Sequence, residues 1–151
     1  MASGLELKKF TKSRIKTVRT LVTAEDWDAA AYMMGYVLET ALKAAACKAL
    51  HLTGYPERTR IKHIDNCFMT HKFDQLLTVS GLSDIFTVAG LPGPSTNWSE
   101  FVQSYPGEWT NMRYDPNTII QFDKPVVERL FQNLISDNES IIKTIQSKSR
   151  W

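Results

Sequence analysis

Asp26-Trp-Asp-Ala-Ala-Ala-Tyr-Met-Met-Gly-Tyr-Val-Leu-Glu-Thr-Ala-Leu-Lys43 reads as a long, alanine-rich helix that carries a polar stripe. Tyr32, Tyr36, Glu39 and Lys43 follow i, i+4, i+7, i+11 spacing and share one face. Trp27, Ala31, Met34, Leu38, Ala41 and Ala45 make a separate apolar face. A helix used only for packing needs no Glu and Lys between those faces. Glu39 and Lys43 are spaced for an i, i+4 ion pair in the favourable orientation, a structural polar pair.

Outward from this central helix, placed at 24–51, the other segments are also helical. A first helix spans 5–22, with Leu7, Phe10, Ile15, Val18, Leu21 and Val22 inward. Thr23-Ala-Glu-Asp26 resembles a capping box with Asp in place of the usual Glu or Gln. Gly54 and Pro56 end the central helix and open a charged linker, Glu57-Arg-Thr-Arg-Ile-Lys-His63. Residues 64–69 are apolar without a period and read as a loop or short turn. Thr70 is placed to cap a short helix from His71 to about Leu82. Gly90-Leu-Pro-Gly-Pro94 is a break, after which Ser95 or Thr96 starts a helix with Trp98, Phe101, Val102 and Tyr105 inward. Pro106-Gly107 interrupts it, and a further turn or two ends before Pro116.

The last helix is placed at 123–148, with Asp123 as its cap and Pro125 in its first turn. Val127, Phe131, Leu134, Asn138, Ile141 and Ile145 form a seam with one polar residue at its centre. Asn138 either fixes register against a partner helix or sits exposed at a kink, and the second is favoured. The only β-like run is 118–122. The expectation is an all-α, up-and-down bundle of four to five helices in one domain over residues 1–151.

The 151 residues suffice for one sizeable core, and 43% hydrophobic with 23% charged residues is ordinary for a globular protein. A net charge of +2 does not by itself point to nucleic acid. Its distribution is more telling: residues 1–22 hold Lys8, Lys9, Lys12, Arg14, Lys16 and Arg19 against Glu6 alone. Such a segment follows a phosphate backbone or an acidic partner, or is simply a solvated helix face. Cys47 and Cys67 match no metal-ligand spacing, which fits a reducing cytoplasm, and Cys47 is expected to be buried. There is no signal-peptide core and no run of membrane-spanning length, so no membrane is expected.

No phosphate loop, dinucleotide fingerprint, zinc-protease pair or nucleophile elbow is present. His51, His63 and His71 are not spaced as metal ligands on one helix, so neither metal nor cofactor is expected. Trp109 and Arg113 stand i, i+4, which on an α-helix lets the guanidinium stack on the indole beside Tyr114. An Arg beside aromatics can hold a phosphate and a base together, or brace a buried Trp.

Ala-Ala-Tyr-Met-Met-Gly-Tyr-Val-Leu-Glu-Thr-Ala-Leu-Lys43 resembles the second-helix signature of HEPN-domain proteins. Thr70-His71-Lys-Phe-Asp-Gln-Leu-Leu77 is similar to that family's Thr-His-x-Leu-x-x-Leu element. Trp98, Trp109 and Arg113-Tyr114 resemble its later Trp…Trp…Arg-Tyr stretch. The resemblance implies a bundle of four or five helices that usually pairs into a homodimer. It also implies prokaryotic conflict systems, such as phage defence or toxin–antitoxin pairs, as a setting. Many members are metal-independent RNases, with an Arg followed four to six residues later by a His. The His acts as general acid/base at the ribose 2′-hydroxyl and the Arg stabilises the phosphate.

This chain departs from that pattern, because Arg113 is followed by Tyr-Asp-Pro-Asn-Thr-Ile-Ile. The one literal match, Arg58-Thr-Arg-Ile-Lys-His63, lies in the linker. The favoured function is therefore a non-catalytic HEPN-like module that binds a nucleotide, RNA or a partner protein through Arg113, Tyr114, His71 and Lys43. One alternative is a metal-independent RNase, with Arg58 and His63, or His71 and Arg113 from different segments, as phosphate clamp and acid/base. The other is a helical subunit of a larger complex.

Overall fold

The computed structural model describes residues 1–87 and 93–151. Its frame is a helical hairpin of α1 (Gly4–Thr23) and α2 (Trp27–Ala49). Ser3 starts α1 with a reciprocal cap: the Glu6 amide donates to Ser3 Oγ at 3.2 Å and the Ser3 amide to Glu6 Oε2 at 2.8 Å. The capping box expected at Thr23 and Asp26 does not form. Thr23 is the last residue of α1, its hydroxyl donating to the Arg19 carbonyl at 2.9 Å. Asp26 precedes α2 without a side-chain cap, because Glu25 turns the chain through a left-handed conformation, φ 59°.

Leu7 and Val18 are buried as expected, and so is Thr11, whose hydroxyl meets that of Thr40 at 2.8 Å. Ile15, Leu21 and Val22 pack only in part. Phe10 turns out to be 43% exposed, with the Arg14 guanidinium 5.0 Å from its ring. α2 is the axis of the molecule, with 14 of its 23 residues buried. The two tyrosines, Glu39 and Lys43 share one face as the spacing requires, and Cys47 is buried.

Shorter segments wrap α2: α3 (Lys62–Phe68), α4 (Phe73–Ser80), α5 (Ser83–Thr87) and α6 (Pro94–Gln103). A 3₁₀ turn (Trp109–Tyr114), α7 (Thr118–Gln121), α8 (Lys124–Phe131), a π turn (Gln132–Ser136) and α9 (Ile141–Ser149) complete the chain. The fold is an all-α bundle with no strand among the described residues, and none of these helices is long and apolar enough to cross a membrane. The run 118–122, β-like in sequence, holds the four-residue helical turn α7, because among the described residues it has no neighbouring strand to pair with.

Residues 64–69, expected as loop, lie largely in α3, which buries none of its own residues. α4 begins two residues after the expected start, because Thr70 Oγ accepts from the Lys72 amide at 3.1 Å and closes a turn instead of capping a helix. The expected break at 90–94 falls mostly outside the described residues; Pro94 itself opens α6. Trp98, Phe101 and Tyr105 are buried and Val102 half-buried, as their spacing predicts.

The single helix expected over 123–148 is two. Asp123 does cap α8, accepting from the Val126 amide at 3.2 Å, with Pro125 in the first turn. The chain then widens into the π turn, and Ser140 caps a fresh helix by accepting from the Lys143 amide at 3.2 Å. Val127, Leu134, Ile141 and Ile145 are buried along the seam, whereas Asn138 is exposed in the break, as favoured. The buried polar residue here is Asn133, which the pattern did not single out. Its amide donates to Asn97 Oδ1 at 3.0 Å and Glu100 Oε2 at 2.8 Å, tying the π turn to α6.

Candidate functional site: a groove built on Glu39

Trp109 covers the tyrosine end of the polar stripe of α2. Its ring lies 5.2 Å from that of Tyr32 and 4.6 Å from that of Tyr36. Gly35 makes this possible: a Cβ there would stand 2.4 Å from Trp109 Cδ2 and Cε3. Burial, and then the Tyr36 hydroxyl, push the Tyr32 phenol up to about 12, so it stays protonated and able to donate at neutral pH.

One turn beyond Tyr36, Glu39 is only 5% exposed. A buried carboxylate is costly unless it is paired and hydrogen-bonded. Both of its oxygens are satisfied: Lys43 Nζ donates to Oε1 at 2.8 Å and His71 Nδ1 to Oε2 at 2.9 Å. The pair is therefore not an ordinary surface pair. Glu39 fixes where a cation and an imidazole sit, and with Nδ1 engaged the imidazole has Nε2 left for another contact.

Lys43 and His71 open onto a groove of about 550 Å³, also lined by Tyr55, Arg58, Phe68 and Met69. Tyr55 organises its floor. The phenol donates to the Phe68 carbonyl at 2.9 Å, and the ring lies 5.0 Å from Lys43 Nζ. The Tyr55 amide donates to the Ala2 carbonyl at 2.8 Å, and a Cβ on Gly54 would strike Met1 Cγ at 2.7 Å, so the N-terminus packs against this wall. The N-terminal ammonium pairs with Glu57. Arg58 is exposed on the rim. The nearby Asp65 carboxyl is held below its ordinary value, by the Thr59 amide first and by the Arg58 charge as a smaller contribution.

The fold thus gathers the candidates Lys43, Arg58 and His71 on one groove, with Glu39 holding Lys43 and His71. His63 is exposed on α3 and does not line the groove, so Arg58 and His63 do not share it. Arg113 and Tyr114 stand apart, on the 3₁₀ turn beyond Trp109. Of the two readings left open for Arg113, the stack on Trp109 does not form. At three residues per turn, positions four apart point about 120° away from each other. Trp109 faces inward while Arg113 is exposed, its Nε donating to the Thr110 carbonyl at 3.3 Å and its Cζ 5.8 Å from the Tyr114 ring. Tyr114 is 88% exposed.

Tyr55 and Phe68 were not singled out in the sequence. The Gly54–Pro56 bracket that reads only as a helix stop is the one signal that marks Tyr55. Among the described residues no three His, Cys, Asp or Glu side chains form a group fit for a metal. Comparison with models of protein families, with curated proteins and with solved structures finds no match.

Proposed function

We propose that this protein is a non-catalytic HEPN-like module whose groove binds the phosphate of a nucleotide or of RNA. The observation that carries the reading is the convergence of Lys43, Arg58 and His71 on one groove, two of them held in place by a buried carboxylate. Charged donors set in advance bind a phosphate without first losing side-chain freedom. Phe68 and Met69 supply an apolar wall on which a base can rest. Arg113 and Tyr114, beyond Trp109, would touch only a ligand longer than one nucleotide. Cleavage is disfavoured because an acid/base mechanism needs its groups within reach of one hydroxyl. His63 lies outside the groove that Arg58 lines, and Arg113 lies outside the groove that His71 lines, so neither Arg–His pair shares a site.

The test is titration of ATP and of labelled RNA, without metal, into wild type and the Arg58→Ala and His71→Ala variants. Each substitution is expected to weaken ATP binding about tenfold or more, the loss of one hydrogen bond to a charged group, while the RNA stays intact. Unchanged affinity in both folded variants rejects the groove. RNA cleavage by wild type that disappears in His63→Ala or His71→Ala would establish the metal-independent RNase instead.

A further inference from the structure

The groove leaves the charge of α1 without a role. Lys9, Lys12, Lys16 and Arg19 stand at i, i+3, i+7 and i+10, and all four are exposed. At 1.5 Å per residue they line about 15 Å of one helix face. Residues 1–22 carry a net +5 in a chain whose total is +2, so the remainder is net negative. Among the described residues none of these four side chains is in a salt bridge. Arg19 rests its guanidinium 5.4 Å from the Phe131 ring, a contact that positions the charge without neutralising it. The opposite side of α1, with Leu7, Thr11 and Val18, is buried, so the helix cannot roll to hide its cations.

We infer that this stripe is a track for the phosphate backbone of single-stranded RNA. The inference rests on the groove being a nucleotide or RNA site, and selects the polymer over the free nucleotide. One strand presents a phosphate every 3.4 Å or more along its axis. At the shortest spacing about four lie beside 15 Å of helix, one for each cation, and fewer when the strand is extended. Leu7 lines the groove and Lys9 is two residues further on, on the other side of α1, so a strand that meets both passes around the N-terminal end of the helix. A groove of about 550 Å³ accepts an unpaired nucleotide and not a duplex. An anionic membrane fits less well, because a membrane-lying helix needs a free apolar face. The apolar face of α1 is packed in the bundle, and Leu5 is the exposed apolar residue on the cationic side.

The test compares wild type, Lys12→Gln/Lys16→Gln and Arg58→Gln by fluorescence polarisation with a single-stranded RNA of about 12 nucleotides, from 50 to 200 mM salt. Each lost contact lowers the slope of log affinity against log salt by about 0.7. The double variant is expected to lose about 1.4 from that slope and to bind RNA about tenfold or more weakly at 50 mM salt, with ATP binding unchanged. Arg58→Gln weakens ATP and RNA alike. An unchanged slope and affinity in the double variant overturns the track. Retention on phosphatidylglycerol vesicles with no RNA binding also overturns it, in favour of a lipid surface. A failed groove reads differently: Arg58→Gln leaves ATP binding as it was, while the salt slope still responds to Lys12 and Lys16.

Discussion

Gly35 and Trp109 show how a single position decides the site. An isolated Gly inside a helix costs up to about 1 kcal/mol relative to Ala, so in open space Gly35→Ala would stabilise the protein. Here the new methyl group would press on the indole at 2.4 Å, and no small shift relieves that. Overpacking of this kind costs about 1–3 kcal/mol, which outweighs the helix-propensity gain. Gly35→Ala is therefore expected to lower the urea midpoint and to alter tryptophan fluorescence. A raised midpoint would show that Trp109 does not sit on α2 at this point. The same residue bears on the groove, because the Trp109 ring lies 6.3 Å from that of His71, edge to face. Glu39 and Lys43 were legible as a pair from their spacing alone. That Glu39 is buried was not, because its second partner, His71, lies about 30 positions further along the chain.

At the scale of elements, periodicity located α1, α2 and α6 well and misread the C-terminal third. The seam over 127–145 is real, yet the backbone widens at Gln132–Ser136 and restarts at Ser140. The polar cluster of Glu100, Arg129 and Asn133 ties this region to α6; it draws on two separate segments and so leaves no local signature. Arg129 grips Glu100 with two hydrogen bonds of 2.9 Å each, from Nε and Nη2. This grip first, and the Asn133 amide second, pull the Glu100 carboxyl from its ordinary 4.5 down to about 2. A depressed carboxyl stabilises the fold above its unfolded value and loses that contribution as pH falls through the folded one. Glu100 is about a third exposed, so solvent screening reduces the effect to about 1 kcal/mol. Wild type is expected to lose that much more stability than Glu100→Gln as the pH drops from 4.5 towards 2. Parallel losses in urea titrations of the two would show that the bidentate contact contributes nothing.

Across the whole molecule, burial is graded outward from α2, and stability should follow. Amides in α2, 14 of whose 23 residues are buried, are expected to exchange with solvent only on global unfolding. Those of α3, which buries none of its residues, should exchange fastest among the helices. Equal protection in both would contradict this gradient. α3 also carries one wall of the groove through Phe68, so a phosphate ligand that bridges Arg58 and Lys43 should slow its exchange. By itself the sequence determined the helical class, the two faces of the central helix and the cationic face of α1. Each is a local pattern, set by side-chain spacing along a single rod. Only the tertiary structure decided that Tyr32 and Tyr36 lie beneath Trp109, that His71 shares Glu39 with Lys43, and that Arg58 lines the same groove as those two while Arg113 stands apart. These are contacts between distant segments, set by which surfaces exclude water together, and no periodicity within one segment encodes them.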